Sequence, residues 1–104
     1  KIDNRKLLGL LRQKSIRKIV IFVLNNKNCS FYEIVKFVGL SPSTVSWHIK
    51  KLIDLNVIEK IEVKNKSVYN LLINEEEIIK LLVLYKESFL DSLVNKTVEM
   101  WEIK

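Results

Sequence analysis

The sequence predicts a mainly α-helical domain that carries one small β-hairpin. Three observations predict it. Apolar residues recur at helical spacing in several separate segments, as Val45, Ile49 and Leu52 do. Alternation of polar and apolar residues, the pattern of a half-exposed strand, is confined to 59–63 and 68–73. From Glu75 to about Glu102 no Gly or Pro interrupts what reads as one long terminal helix.

The first helix is expected over 4–13, with Asp3 as its cap and Leu7, Leu8, Leu10 and Leu11 as its apolar side. Gly9 weakens that helix by about 1 kcal/mol relative to Ala, which suggests close packing against another helix. Ser15 is placed to cap a second helix over 16–24, with Ile16, Ile19, Val20, Val23 and Leu24 inward. Asn25-Asn26-Lys27-Asn28 is a polar loop. Ser30 and Glu33 then have the spacing of a capping box, each side chain taking an amide at the other's end. They open a short helix over 31–38 that buries Phe31, Ile34, Val35 and Val38. Gly39 falls just past its end, where a left-handed residue is needed.

Ser41 caps the next helix and Pro42 occupies its first position, where a missing N–H costs nothing. This helix, 42–54, buries Val45, Ile49 and Leu52 and leaves Ser43, Thr44, Ser46, Trp47 and Lys50 on the other face. Two helices joined by a three-residue turn with Gly first form a helix-turn-helix, and the second is the recognition helix. Short hydroxyls on its open face allow a close approach to another surface. The strand at 59–63 and the strand at 68–73, with Tyr69, Leu71 and Ile73 on one side, are joined by Lys64-Asn65-Lys66-Ser67. A hairpin directly after a helix-turn-helix is a wing. Asn74 with Glu75, Glu76 and Glu77 marks the start of the terminal helix. At 1.5 Å per residue that helix would run ~40 Å, more than one small domain can cover. Between Ile78 and Tyr85 only Lys80 is polar, and Phe89, Leu93, Val94, Val98 and Trp101 add apolar surface further on. Such a helix wants two partners, its own domain and a second copy of the chain.

At 104 residues and 48% hydrophobic, the chain is one small domain with a packable core, 1–104, in which 15–73 is the winged-helix unit and 74–104 a dimerisation helix. A single Cys forms no intrachain disulfide and suits a reducing compartment, so a cytoplasmic location is expected. No apolar run reaches the ~18 residues that span a bilayer, and no signal peptide is visible. A first residue of Lys rather than Met fits either an excised domain or a chain lacking its extreme start. The net charge is +6, unevenly spread: residues 1–30 carry eight Lys/Arg against one Asp, residues 74–104 four Lys against seven acids. A basic front and an acidic tail suit a polyanion met from one side, although a solvated lysine-rich surface has the same composition.

The run from Ser41 to Leu52, followed by Leu55-Asn56-Val57-Ile58-Glu59-Lys60, resembles the winged helix-turn-helix of ArsR-type and MarR-type transcriptional regulators, a kind common in archaea. The resemblance is good over 15–73 and extends to the flanking helices by arrangement. It implies a mainly α fold with a long C-terminal helix, and a homodimer bound to a short palindromic operator, usually repressing transcription. Asn56 stands where the family often has Gly, and Asn tolerates left-handed geometry. Metal-sensing members use closely spaced cysteines near the helix-turn-helix, or His and acidic pairs on the terminal helix. Here Cys29 and His48 are single, so a metal sensor of those kinds is not expected and no cofactor is implied.

The expected DNA contacts are therefore Ser43, Thr44, Ser46, Trp47 and Lys50 in the major groove, with Lys64 and Lys66 on phosphates or the minor groove. Arg12, Lys14, Arg17 and Lys18 are lesser candidates for backbone contacts. His48 is expected at the core edge, bonded to backbone, and the Cys29 thiol, just ahead of a helix cap, to be somewhat acidified. Catalysis is poorly supported. Two glycines make no phosphate-cradling loop, and one His and one Cys on separate elements make no nucleophile–base pair. Two other classes remain open: a winged-helix protein–protein module that uses Trp47 and the terminal helix, and a non-specific chromatin or RNA binder.

Overall fold

A computed structural model describes residues 2–86. In chain order these form α1 (Asn4–Leu11), α2 (Lys14–Asn25), α3 (Phe31–Val38), α4 (Pro42–Asp54), β1 (Ile58–Val63), β2 (Lys66–Leu71) and α5 (Glu75–Leu84). The fold is mainly helical with a two-stranded antiparallel wing. The part of the long terminal helix expected beyond residue 86, with Phe89, Leu93, Val94, Val98 and Trp101, lies outside the described residues.

The Asp3 carboxylate caps α1 by accepting from the Lys6 amide at 2.8 Å. The helix stops at Leu11, two residues earlier than expected, because Gln13 turns extended and becomes the N-cap of α2. Arg17 donates from its guanidinium to the carbonyls of Leu11 (3.0 Å) and Arg12 (3.3 Å), which serves the carbonyl end of α1. Ser15 is not a cap: it lies inside α2, which begins at Lys14 without a side-chain cap. Packing sets this boundary, since Ile16, Ile19, Val20 and Val23 are all essentially buried. Gly9 is exposed, and a Cβ built on it would meet nothing within 4 Å. The close helix packing expected there is therefore absent among the described residues.

The Ser30–Glu33 capping box is formed, at 3.1 Å and 2.9 Å. Ile34 and Val38 are buried, Phe31 and Val35 only partly so. Gly39 closes α3 with φ +77° while its amide donates to Val35. Ser41 caps α4, accepting from the Thr44 amide at 3.3 Å, with Pro42 in the first turn. After α4, Asn56 takes φ +60° and the Val57 amide returns to the Leu52 carbonyl at 2.9 Å.

The hairpin pairs Ile58 with Leu71 through Val63 with Lys66. Its loop is two residues, Lys64 and Asn65, both at positive φ (51° and 64°). That is the tight mirror-image turn that matches strand twist, and it shortens the expected four-residue loop. The second strand accordingly begins at Lys66 rather than 68 and ends at Leu71, while Ile73 is buried past the sheet. The base of the hairpin is tied across the fold to the loop between α2 and α3. The Tyr69 amide donates to the Cys29 carbonyl at 2.8 Å, and the Asn28 amide donates to Asn70 Oδ1 at 2.7 Å. Asn70 Nδ2 in turn donates to Asn28 Oδ1 at 2.6 Å.

Asn74 caps α5 by accepting from the Glu76 amide at 2.8 Å. Ile78 and Leu81 enter the core, whereas Ile79, Val83 and Leu84 are exposed at 47%, 61% and 64%. One apolar cluster draws on every helix and on the wing, from Leu7 and Leu11 through Ile34, Val45 and Leu52 to Ile58, Tyr69 and Ile78.

Candidate nucleic-acid interface

The sequence pattern of α4 settles which side chains it presents. Val45, Ile49 and Leu52 are 0–3% exposed and anchor one side. At 3.6 residues per turn, Ser43, Trp47, Lys50 and Asp54 then run along the opposite side, with Ser46 on one flank and Thr44 and Lys51 on the other. Ser43, Thr44, Ser46, Trp47 and Lys50 are all exposed, so the structure brings these predicted residues onto one open face. Ser41 Oγ lies 3.3 Å from Ser43 Oγ and 2.9 Å from Thr44 Oγ1. This hydroxyl cluster fixes the rotamers of the first turn, and each oxygen keeps further bonding capacity toward a ligand.

Trp47 is 63% exposed. Its ring is held rather than free. The His48 ring stands edge-on to it at 5.4 Å between centroids, and the Lys51 ammonium lies 5.8 Å from the indole centroid. Trp47 forms one wall of a cleft of about 440 Å³ lined also by Lys6, Lys50, Lys51, Asp54 and Leu55. Lys6 and Lys51 escaped the sequence reading. Lys51 carried a signal, its one-turn spacing from Trp47; Lys6 carried none, because it comes from α1.

The wing places Lys64 at its two-residue tip and Lys66 just after it, both exposed. Of the lesser candidates, Arg17 spends its guanidinium on α1 carbonyls, while Arg12 and Lys14 are exposed at the α1–α2 turn and Lys18 is half-buried.

Two expectations about single residues are corrected. His48 is at the core edge, but its Nδ1 is buried without a hydrogen-bond partner rather than bonded to backbone. Cys29 is not acidified. Docking of the wing leaves it 2% exposed, and burial pushes the thiol up to about 11, despite a backbone hydrogen bond that pulls the other way. Its Sγ donates to the Tyr69 carbonyl at 3.7 Å. The group is a packed neutral thiol at neutral pH, not a nucleophile. Among the described residues no His, Cys, Asp and Glu side chains cluster to hold a metal ion, and no helix is long and apolar enough to cross a membrane.

Residues 12–59 match a protein family described as winged helix-turn-helix DNA-binding. No curated protein sequence matches the chain. Several solved structures share its fold. A predicted DNA-binding transcriptional regulator from E. coli superposes with a TM-score of 0.65 at 21% identity, covering 79% of this chain and 85% of its own. The transcriptional repressor BigR from Xylella fastidiosa gives 0.65 at 18% identity, covering 79% and 82%. A possible HxlR family transcriptional factor from Thermoplasma volcanium gives 0.57 at 26% identity, covering 91% and 87%.

Proposed function

We propose that this chain, whose residues 12–59 match a winged helix-turn-helix DNA-binding family, reads a short palindromic operator as a homodimer and represses transcription in the cytoplasm. The observation that carries the reading is the face of α4: hydroxyls, one indole and one ammonium, opposite a fully anchored apolar stripe. A helix in the major groove contacts base edges chiefly through its first turns. Ser43, Thr44, Ser46 and Trp47 occupy those turns, with Lys50 one turn further on. Hydroxyls bond base edges or phosphates, the indole packs on a thymine methyl or a sugar, and Lys50 reaches a guanine or a phosphate. Lys64 and Lys66 supply phosphate or minor-groove contacts from the wing. The exposed Ile79, Val83 and Leu84 support pairing of two copies through the helix that starts at Glu75, within one domain spanning 1–104. The repressor function of the Xylella neighbour supports the sign of regulation.

Fluorescence anisotropy of duplexes selected from a random pool tests the reading. A selected duplex should bind far more tightly than an unrelated one, and binding should weaken by orders of magnitude between ~50 and ~200 mM salt. Lys64→Ala and Lys66→Ala should weaken all duplexes alike, whereas Ser46→Ala should change which sequence is preferred. No duplex binding at low salt by a folded dimer would refute it. Light scattering at tens of micromolar checks the dimer, and a monomeric mass would exclude pairing through the terminal helix.

A further inference from the structure

The cleft beside Trp47 collects more positive charge than the recognition helix alone supplies. Lys50 and Lys51 come from α4, Lys6 comes from α1, and Asp54 is the one carboxylate on its wall. Among the described residues none of the three ammonium groups is within ion-pair distance of a carboxylate. Lys6 and Lys50 are exposed, and Lys51 is steadied by the indole face. Three unneutralised ammonium groups converging on one concavity call for an anion, and the single Asp54 does not supply it.

Groove geometry says which anion. A helix with its side chains is roughly 10–12 Å across, and the major groove is about 12 Å wide. Whatever flanks α4 when its open face enters the groove therefore meets the groove wall, which is sugar and phosphate. Lys6 lies on such a flank, across the cleft from the C-terminal half of α4. We propose that Lys6, with Lys50 and Lys51, clamps a backbone phosphate of duplex DNA beside the bases that α4 reads, with the Trp47 ring against the adjoining sugar. This rests on the operator-binding reading above and adds α1 to the contact surface. The clamp carries no base information; it fixes the depth and register of α4.

The test is anisotropy titration of the full chain and its Lys6→Ala, Lys6→Arg and Asp54→Asn variants, on a selected duplex and an unrelated one, at ~50 and ~200 mM salt. Lys6→Ala should bind both duplexes more weakly, and its slope of log affinity against log salt should be shallower by up to about 0.9 per bound protomer, the value for full loss of one phosphate contact. Over that fourfold salt range the variant then loses up to about 3.5-fold less affinity per protomer than the parent. Lys6→Arg should restore the slope, and Asp54→Asn should tighten both duplexes. Lys27→Ala is the control for charge alone, because Lys27 lies 3.9 Å from Glu75 and outside the cleft; it should leave the slope unchanged. If the parent binds neither duplex, the operator-binding reading fails. If the parent binds and Lys6→Ala keeps its affinity and slope, the clamp alone is overturned. A Lys6→Ala variant that changes the preferred sequence instead overturns the clamp in favour of a base contact.

Discussion

Replacing Trp47 by Ala should separate binding from folding, and Leu52→Ala on the same helix should do the reverse. Trp47 is 63% exposed, so truncation forfeits only about a third of a large side chain's area. At roughly 25 cal/mol per Å² that is at most about 2 kcal/mol, and nearer 1 once burial within the helix and the unfolded chain is discounted. The Lys51 contact at 5.8 Å adds about 0.5 kcal/mol at an exposed site. Leu52 is 0% exposed, and its truncation costs about 3–5 kcal/mol through lost transfer energy and a cavity. For a domain of this size 1 kcal/mol moves the melting temperature by about 4–8 °C. Circular dichroism melts should therefore show a small shift for Trp47→Ala and a large one for Leu52→Ala. Anisotropy should show the opposite ranking for a selected duplex at temperatures where both are folded, with Trp47→Ala weaker by about 5- to 30-fold, the roughly 1–2 kcal/mol of burying the exposed part of the indole against DNA. Unchanged DNA affinity in a folded Trp47→Ala variant would remove the indole from the groove. A melt as damaged as that of Leu52→Ala would show that Trp47 is a core residue, contrary to its exposure.

Three further outcomes follow from the geometry. Gly39→Ala forces a side chain into φ +77°, where the space is open but the backbone is strained, so it should cost about 1–2 kcal/mol by chemical denaturation. Asn70→Ala removes the partner of the Asn28 backbone amide and side-chain Oδ1 at an exposed site, so it should cost about 0.5–1.5 kcal/mol and speed hydrogen exchange at the base of the wing. The Cys29 thiol, raised from 9.0 to about 11, favours its neutral form when folded. Its contribution is fully present below pH 9 and is lost as pH rises toward 11, on the order of 2–3 kcal/mol. Denaturant midpoints of the parent should fall across that window, and those of Cys29→Ala should fall less; Tyr69, raised in the same direction by burial, accounts for a remainder.

What was legible in the sequence was whatever acts within four or five residues. Ser30 with Glu33, Gly39, Ser41 with Pro42, and Asn74 each satisfy or terminate a nearby helix end, and each does so in the structure. Their chemistry is local, so spacing alone identifies it. The open face of α4 was legible for the same reason, since burial of Val45, Ile49 and Leu52 fixes the rotation of the helix. Ser15 misled because it has capping chemistry without the position: the apolar stripe of α2 set the start one residue before it. The hairpin register was lost because Lys64, which has no special preference for positive φ, shares the turn with Asn65. Cys29, Asn28 and Lys6 were illegible in principle. What surrounds them arrives from about 40 residues away, and no local pattern records it.

Those long-range ties explain how a small domain can present two separate elements to one ligand. A recognition helix and a wing read DNA together only if their spacing is fixed before binding, since ordering them on contact would subtract from affinity. The helix is fixed by its buried stripe and by Val57 returning to Leu52. The wing is fixed at its far side by Tyr69 and Asn70 on the loop that also starts α3. Because that loop runs into the Ser30 capping box, the base of the wing and the first helix of the helix-turn-helix share one anchor. Loosening Asn70 therefore disturbs the wing directly, and α4 only through α3. If the wing lysines meet phosphate as proposed, the loss of those contacts should precede any change in which bases α4 prefers, an order that salt slopes and sequence preference report separately.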